Sequence, residues 1–206
     1  MQLSKFTLTT LLMSLLLVAD VKPPLRSYSV ESSSIPKLGF NMLRPLPPYE
    51  VKGYETSSPP GFRKSPMGGL VDGLHRGEDM VPREILEDPK ANVAVAAVES
   101  GIVVTVYPPP GKRGGVRYRG HPIYGGMVVI HHPQAGIYTL YGHLKDIWVS
   151  EGTRIERGAK FGLVGNTGIS TGPHLHYEQV VDPEYILQLA EDARFERERA
   201  LWKARR

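Results

Sequence analysis

Cysteine is absent from all 206 residues. That excludes disulfides and thiolate metal ligands, and it leaves His, Asp and Glu as the side chains able to hold a metal. Long apolar runs are scarce as well. The block from Phe6 to Ala19 that follows Lys5 is too short to span a bilayer comfortably and fits the apolar region of an export signal. Leu17, Val18 and Ala19 lack the usual pair of small residues before a cleavage point, so residues 1–19 are expected to be a signal peptide or a membrane-anchoring signal. Either outcome puts the rest of the chain outside the cytoplasm, in the periplasm, the cell envelope or the extracellular space. A net charge of +4 and a pI near 9.2 suit an anionic partner such as a wall polymer or a membrane surface. The basic residues are spread among acidic ones and no aromatic-basic motif occurs, so no nucleic-acid partner is expected.

What remains is a soluble globular composition, 41% hydrophobic and 22% charged, long enough for one substantial domain with appendages. Residues 20–57 are rich in Pro and Ser, with Ser32, Ser33, Ser34 and Pro45, Pro47, Pro48 breaking any periodicity, and read as a linker or a segment draped over the domain. Residues 58–187 carry short β-rich runs: Asn92 to Val98, Gly101 to Tyr107, Met127 to His131 and Ile137 to Tyr141. Turn residues punctuate them, and no sustained helical period intervenes, so the expected fold is mainly β, an antiparallel sheet or sandwich. Residues 108–120 are too rich in Gly and Pro for a core element. The run from Gly162 to Gly168 has the composition of a phosphate loop without its Lys or its strand-to-helix setting, which excludes a nucleotide site. From Glu184 the pattern turns helical, and residues 188–206 read as a charged helical tail, most simply a solvated one.

Chemistry concentrates in three histidine segments. His174 and His176 flank Leu175, and in an extended segment two residues so spaced project from one face. His75 and Asp79 lie four apart, with Gly73 and Gly77 favouring a turn into a strand over a helix. His143 ends the alternating strand Tyr141-Gly142-His143-Leu144. Singly, each reads as an ordinary strand-end or loop histidine. Together, His75, Asp79 and His176 make two imidazoles and one carboxylate, the donor set of a catalytic zinc site with an open position.

This ordered set resembles the lysostaphin and LytM type of zinc peptidase, peptidase family M23. The resemblance runs from about Ser58 to Leu187. It also rests on Gly61, Phe62, Arg63 and Pro66 before the first histidine, on Ala94 to Gly101, and on Val149 to Gly165 with its regularly spaced Gly and Val. It implies a LytM-type β fold, Zn2+ held by His75, Asp79 and His176, His174 as general base and His143 as stabiliser of the oxyanion. It further implies hydrolysis of the peptide cross-links of bacterial peptidoglycan. The other reading it leaves open is a non-catalytic envelope protein that binds wall or activates a partner hydrolase. His132 is expected to be structural or an outer support of the site, and His121 and His131 receive no role. Three departures bear on groove shape: Glu78 where the family usually has an aliphatic residue, a longer stretch from Pro82 to Asn92, and the extended Gly-Pro-Arg loop.

Overall fold

The protein is described by a computed structural model for residues 44–46, 52–63, 73–113 and 116–205. The expected export signal and most of the Pro/Ser-rich segment lie outside the described residues. In chain order the elements are β1 (Tyr54–Ser58), β2 (Gly61–Arg63), β3 (Gly73–His75), β4 (Glu78–Pro82), α1 (Arg83–Glu87), β5 (Ala94–Ala96), β6 (Gly101–Tyr107), β7 (Gly111–Arg113), β8 (Val116–Tyr118), β9 (Gly126–His132), β10 (Ile137–Leu144), β11 (Asp146–Ile147), β12 (Arg154–Ile155), β13 (Lys160–Leu163), β14 (Leu175–Val180) and α2 (Pro183–Ala204). The expected mainly β, antiparallel class is the observed one. A seven-stranded sheet runs β1-β4-β14-β10-β9-β6-β12, and a three-stranded sheet runs β11-β13-β5.

The central strands are apolar on both faces because both faces are covered. On β9, Val128 and Ile130 join Val95 and Phe161 of the small sheet in one core, while Met127 and Val129 point the other way, into a second core closed by α2. Each of these side chains removes roughly 1.5–3 kcal/mol worth of apolar surface from water. Tyr141 is fully buried in the first core, its ring edge-on to Phe161 at 4.8 Å.

Three segments hold more structure than expected. The helix expected to be solvated buries Ile186, Leu189 and Ala193, a 3–4 spacing that lays one stripe on the sheet. Its start is well specified, with Pro183 at the first turn and Asp182 Oδ1 accepting the backbone N–H of Glu184 at 2.9 Å. The long stretch after Pro82 holds the short helix α1, and the Gly/Pro-rich loop holds the β7–β8 hairpin. Among the described residues no helix is long and apolar enough to cross a membrane.

Candidate metal centre

Register builds the site. His176 on β14 is the direct partner of Asp79 on β4 on one side and of Gly142 on β10 on the other. His75 ends β3, and the turn through Gly77 brings it back over the same face. Gly77 leaves no room for a side chain: a Cβ there would run into the Tyr177 carbonyl and lie 2.8 Å from both Glu178 Cγ and His176 Nε2. His75 Nε2, Asp79 Oδ1 and His176 Nδ1 consequently form a triangle with sides of 3.1, 2.8 and 3.2 Å. A tetrahedral zinc ion with bonds of about 2.0–2.2 Å separates its ligand atoms by about 3.3 Å, so the triangle fits such an ion with little adjustment.

The outer nitrogens of the rings set the inner ones. His75 Nδ1 lies 2.9 Å from the Pro59 carbonyl, which can only accept, so Nδ1 carries the proton and Nε2 faces inward bare. His176 Nε2 lies 2.9 Å from Glu178 Oε1 and donates to it. Two imidazole nitrogens thus face each other at 3.2 Å beside a carboxylate. Such a pair repels unless a cation sits among them.

His143 and His174 form a second layer against the same carboxylate, with a nitrogen of each and an Asp79 oxygen all within 4.8 Å. His143 reaches it through a β-bulge. Between Tyr141 and Leu144 the β10 strand holds one residue more than β9 opposite it, and His143 takes φ of 62°, the one non-glycine residue with positive φ among those described. Its Nδ1–H donates to the Thr167 carbonyl at 2.7 Å. The His174 Nδ1–H donates to the Gly172 carbonyl at 2.8 Å, leaving a buried Nε2 with no hydrogen-bond partner and Asp79 Oδ1 3.5 Å away. Each of the four rings therefore spends its outer nitrogen on an acceptor and turns the other inward.

Electrostatics follow the same geometry. Burial alone would raise the Asp79 carboxyl, but the His174 and His176 imidazoles beside it hold it well below the usual carboxylate range. Burial would lower His176, and the Asp79 and Glu178 carboxylates outweigh it and raise its pKa. His143 is pushed down to about 4 by burial, helped by the neighbouring charge of His174. A groove of about 480 Å³ opens over Asp79, His143 and His174, with Ile85, Leu86 and Pro89 on one bank and the 169–173 loop on the other.

The five residues singled out from the sequence, His75, Asp79, His143, His174 and His176, lie together in this cluster. His132 is fully buried between the Ser100 carbonyl and Thr139 Oγ1, remote from the cluster in its bonding, and His131 stacks on Tyr138. His121 has a use that the sequence hides: its Nδ1 accepts the Tyr124 N–H at 3.0 Å and its ring stacks on Tyr124, whose carbonyl takes the His143 N–H at 2.7 Å. Thr167 and Glu178 were likewise unmarked. The acidic Glu178 two residues past His176 is the one readable signal, since residues spaced by two share a strand face.

Fold and site define a mainly β protein with a His/Asp cluster that could hold a metal ion, beside an open groove. The sequence model described as peptidase family M23 matches residues 84–186, half of the chain, and the chain belongs to that family. His75 and Asp79 stand just before the matched residues, separated from them by the start of the lengthened stretch. The chain is 50% identical over 66 residues to the peptidoglycan DD-endopeptidase ShyA of Vibrio cholerae serotype O1, covering 32% of this chain and 15% of that protein. It is 36% identical over 130 residues to the DD-carboxypeptidase/endopeptidase Mpg of Neisseria meningitidis serogroup B, covering 63% of this chain and 25% of that protein. It therefore spans a quarter or less of the length of these relatives. Among solved structures, a chain of the SpoIIIAH and SpoIIQ complex shares the fold at 19% identity and a TM-score of 0.50, covering 69% of this chain and 93% of that one.

Proposed function

We propose that this protein is a zinc-dependent endopeptidase of the bacterial cell envelope that hydrolyses peptide cross-links of peptidoglycan. The observation that carries the reading is the inward-facing set of bare nitrogens around Asp79, open on one side to a groove. Membership of a metallopeptidase family and similarity to proteins named as peptidoglycan endopeptidases support the substrate class. In this reading His75 Nε2, Asp79 Oδ1 and His176 Nδ1 hold the ion, an all-nitrogen and oxygen set suited to zinc in a chain without thiolates.

A bound zinc ion brings the pKa of its water to about 7 and polarises a carbonyl oxygen. The protein supplies the proton handling. His174 Nε2, unpartnered at the groove floor and oriented by its Nδ1–H bond to Gly172, takes the proton of the attacking water and returns it to the leaving amine. His143 sits across from it, with ring centroids 4.6 Å apart. Its groove-side nitrogen would donate to the developing oxyanion after taking up a proton from solvent through the open groove. Burial makes that proton costly at rest, so the interaction strengthens only as negative charge develops beside it, which is the condition for lowering a barrier.

The test is incubation of purified cross-linked peptidoglycan with the zinc-loaded protein, with and without chelator. Release of un-cross-linked stem peptides that stops with chelator and returns with zinc is expected. Cleavage insensitive to chelator, or none from a zinc-loaded protein, removes the reading.

A further inference from the structure

A chain of polar groups, buried at Glu178 and Tyr124 and half-buried at Tyr185, leads away from His176, and none of the three is among the proposed metal ligands. Glu178, 2% exposed, accepts the His176 Nε2–H at 2.9 Å and the Tyr124 hydroxyl at 2.6 Å, both on Oε1. The Tyr124 hydroxyl also lies 2.7 Å from the hydroxyl of Tyr185. Counting protons orients the whole chain. A carboxylate only accepts, so Tyr124 commits its single proton to Glu178, and Tyr185 must then donate to Tyr124. Tyr185 belongs to α2, one turn into a helix whose capping residue is Asp182. The guanidinium of Arg76 stacks over the Tyr185 ring at 4.5 Å, and Arg76 follows His75 directly. The contacts close a loop: His75, Arg76, Tyr185, Tyr124, Glu178, His176.

We infer that Tyr124 and Tyr185 are positioning residues of the metal centre, which makes the C-terminal helix part of the zinc site. The inference rests on the zinc reading above and extends it. Glu178 fixes the His176 ring with Nδ1 inward and keeps its proton on Nε2, as a carboxylate behind a metal-bound histidine does. A buried carboxylate oxygen left short of donors is costly and free to turn, and Tyr124 supplies the second donor that holds it in place. The Tyr185 hydroxyl polarises the Tyr124 hydroxyl and so strengthens its donation. His121 and the Gly142 gap, where a Cβ would approach Tyr124 Cδ1 at 3.3 Å, hold the Tyr124 ring in line.

The test uses the full chain, stripped of metal and titrated with zinc against a chromophoric chelator, with the visible spectrum of the cobalt-substituted protein as second readout. Tyr124→Phe and Glu178→Gln are expected to weaken zinc binding about 10- to 100-fold, and Tyr185→Phe by less in the same direction, each with shifted cobalt bands. Because Tyr185 acts through Tyr124, the double Phe variant is expected to bind no more weakly than Tyr124→Phe alone. Leu187→Ala, exposed on the same helix, is expected to bind as wild type. Wild-type affinity and cobalt spectrum in both Phe variants overturn the inference, as does a lowered melting temperature of the metal-free variants with zinc binding unchanged. Peptidoglycan is not part of the measurement: a wild type that binds zinc but cleaves no wall overturns the peptidase reading alone.

Discussion

Asp79 and His176 are direct partners across the β4–β14 ladder, and Asp79 Oδ1 meets His176 Nδ1 at 2.8 Å. The pairing is a matter of register. A slip of one residue would turn His176 toward the core occupied by Leu175 and Tyr177 and leave the carboxylate alone. The candidate metal centre is thus a product of sheet assembly.

Replacing any corner of the triangle should therefore remove the ion. His75→Ala, Asp79→Ala and His176→Ala are each expected to lose stoichiometric zinc, a larger effect than the roughly 10- to 100-fold cost of losing an outer partner. Metal content after dialysis against dilute chelator measures it.

If His176 holds a metal ion as proposed, protons compete with it there. Its pKa in the metal-free fold is raised because Asp79 and Glu178 overcome the effect of burial. The protonated ring then contributes stability below the ordinary histidine value of about 6.5, and that contribution disappears as pH rises through the folded value. Zinc affinity is expected to move oppositely, rising with pH and releasing protons on binding, which calorimetry in buffers of different ionisation enthalpy detects.

His143 titrates the other way. Its folded pKa lies at about 4, held down first by burial, so the stability it contributes is present above about 6.5 and declines as pH falls toward 4. NMR of the ring in the metal-free protein should find it neutral at pH 5.5. His143→Asn suits a φ of 62°, because Asn tolerates left-handed backbone. That variant is expected to keep the melting temperature and zinc content while losing about 10²–10⁴ of the hydrolytic rate.

Gly77→Ala tests close approach. Its Cβ would strike the Tyr177 carbonyl and crowd His176 Nε2, so β14 must shift, at a cost of about 1–3 kcal/mol. Weakened zinc binding should accompany the lowered stability.

Helix α2 should prove integral to the domain. Leu189→Ala, 4% exposed in the second core, is expected to cost about 2–5 kcal/mol in denaturant melts. Leu187→Ala, 55% exposed, should stay within about 0.5 kcal/mol of wild type.

The antiparallel β class was legible because alternation and turn residues are local signals. His75 with Asp79, and His174 with His176, could be picked out for the same reason: residues spaced by four or by two in extended chain share a face. Other features were hidden by the kind of information they need. Helix α1 is five residues long, too short to display a helical period. The bond between Glu178 and Tyr124 joins positions 54 apart, and the bulge at His143 depends on a neighbouring strand. The helix tail looked solvated because its charges outnumber the narrow stripe of Ile186, Leu189 and Ala193.

One extra residue in β10 has a further consequence. The strand counts evenly as far as Tyr141 and then miscounts by one, so the same stretch that walls the core delivers an imidazole to the groove. Correcting the miscount by a single deletion would yield an evenly paired strand without that imidazole in the groove. Foldability and the proposed chemistry thus part company at this point: shortening the strand by one residue keeps the ladder and takes the imidazole out of the groove.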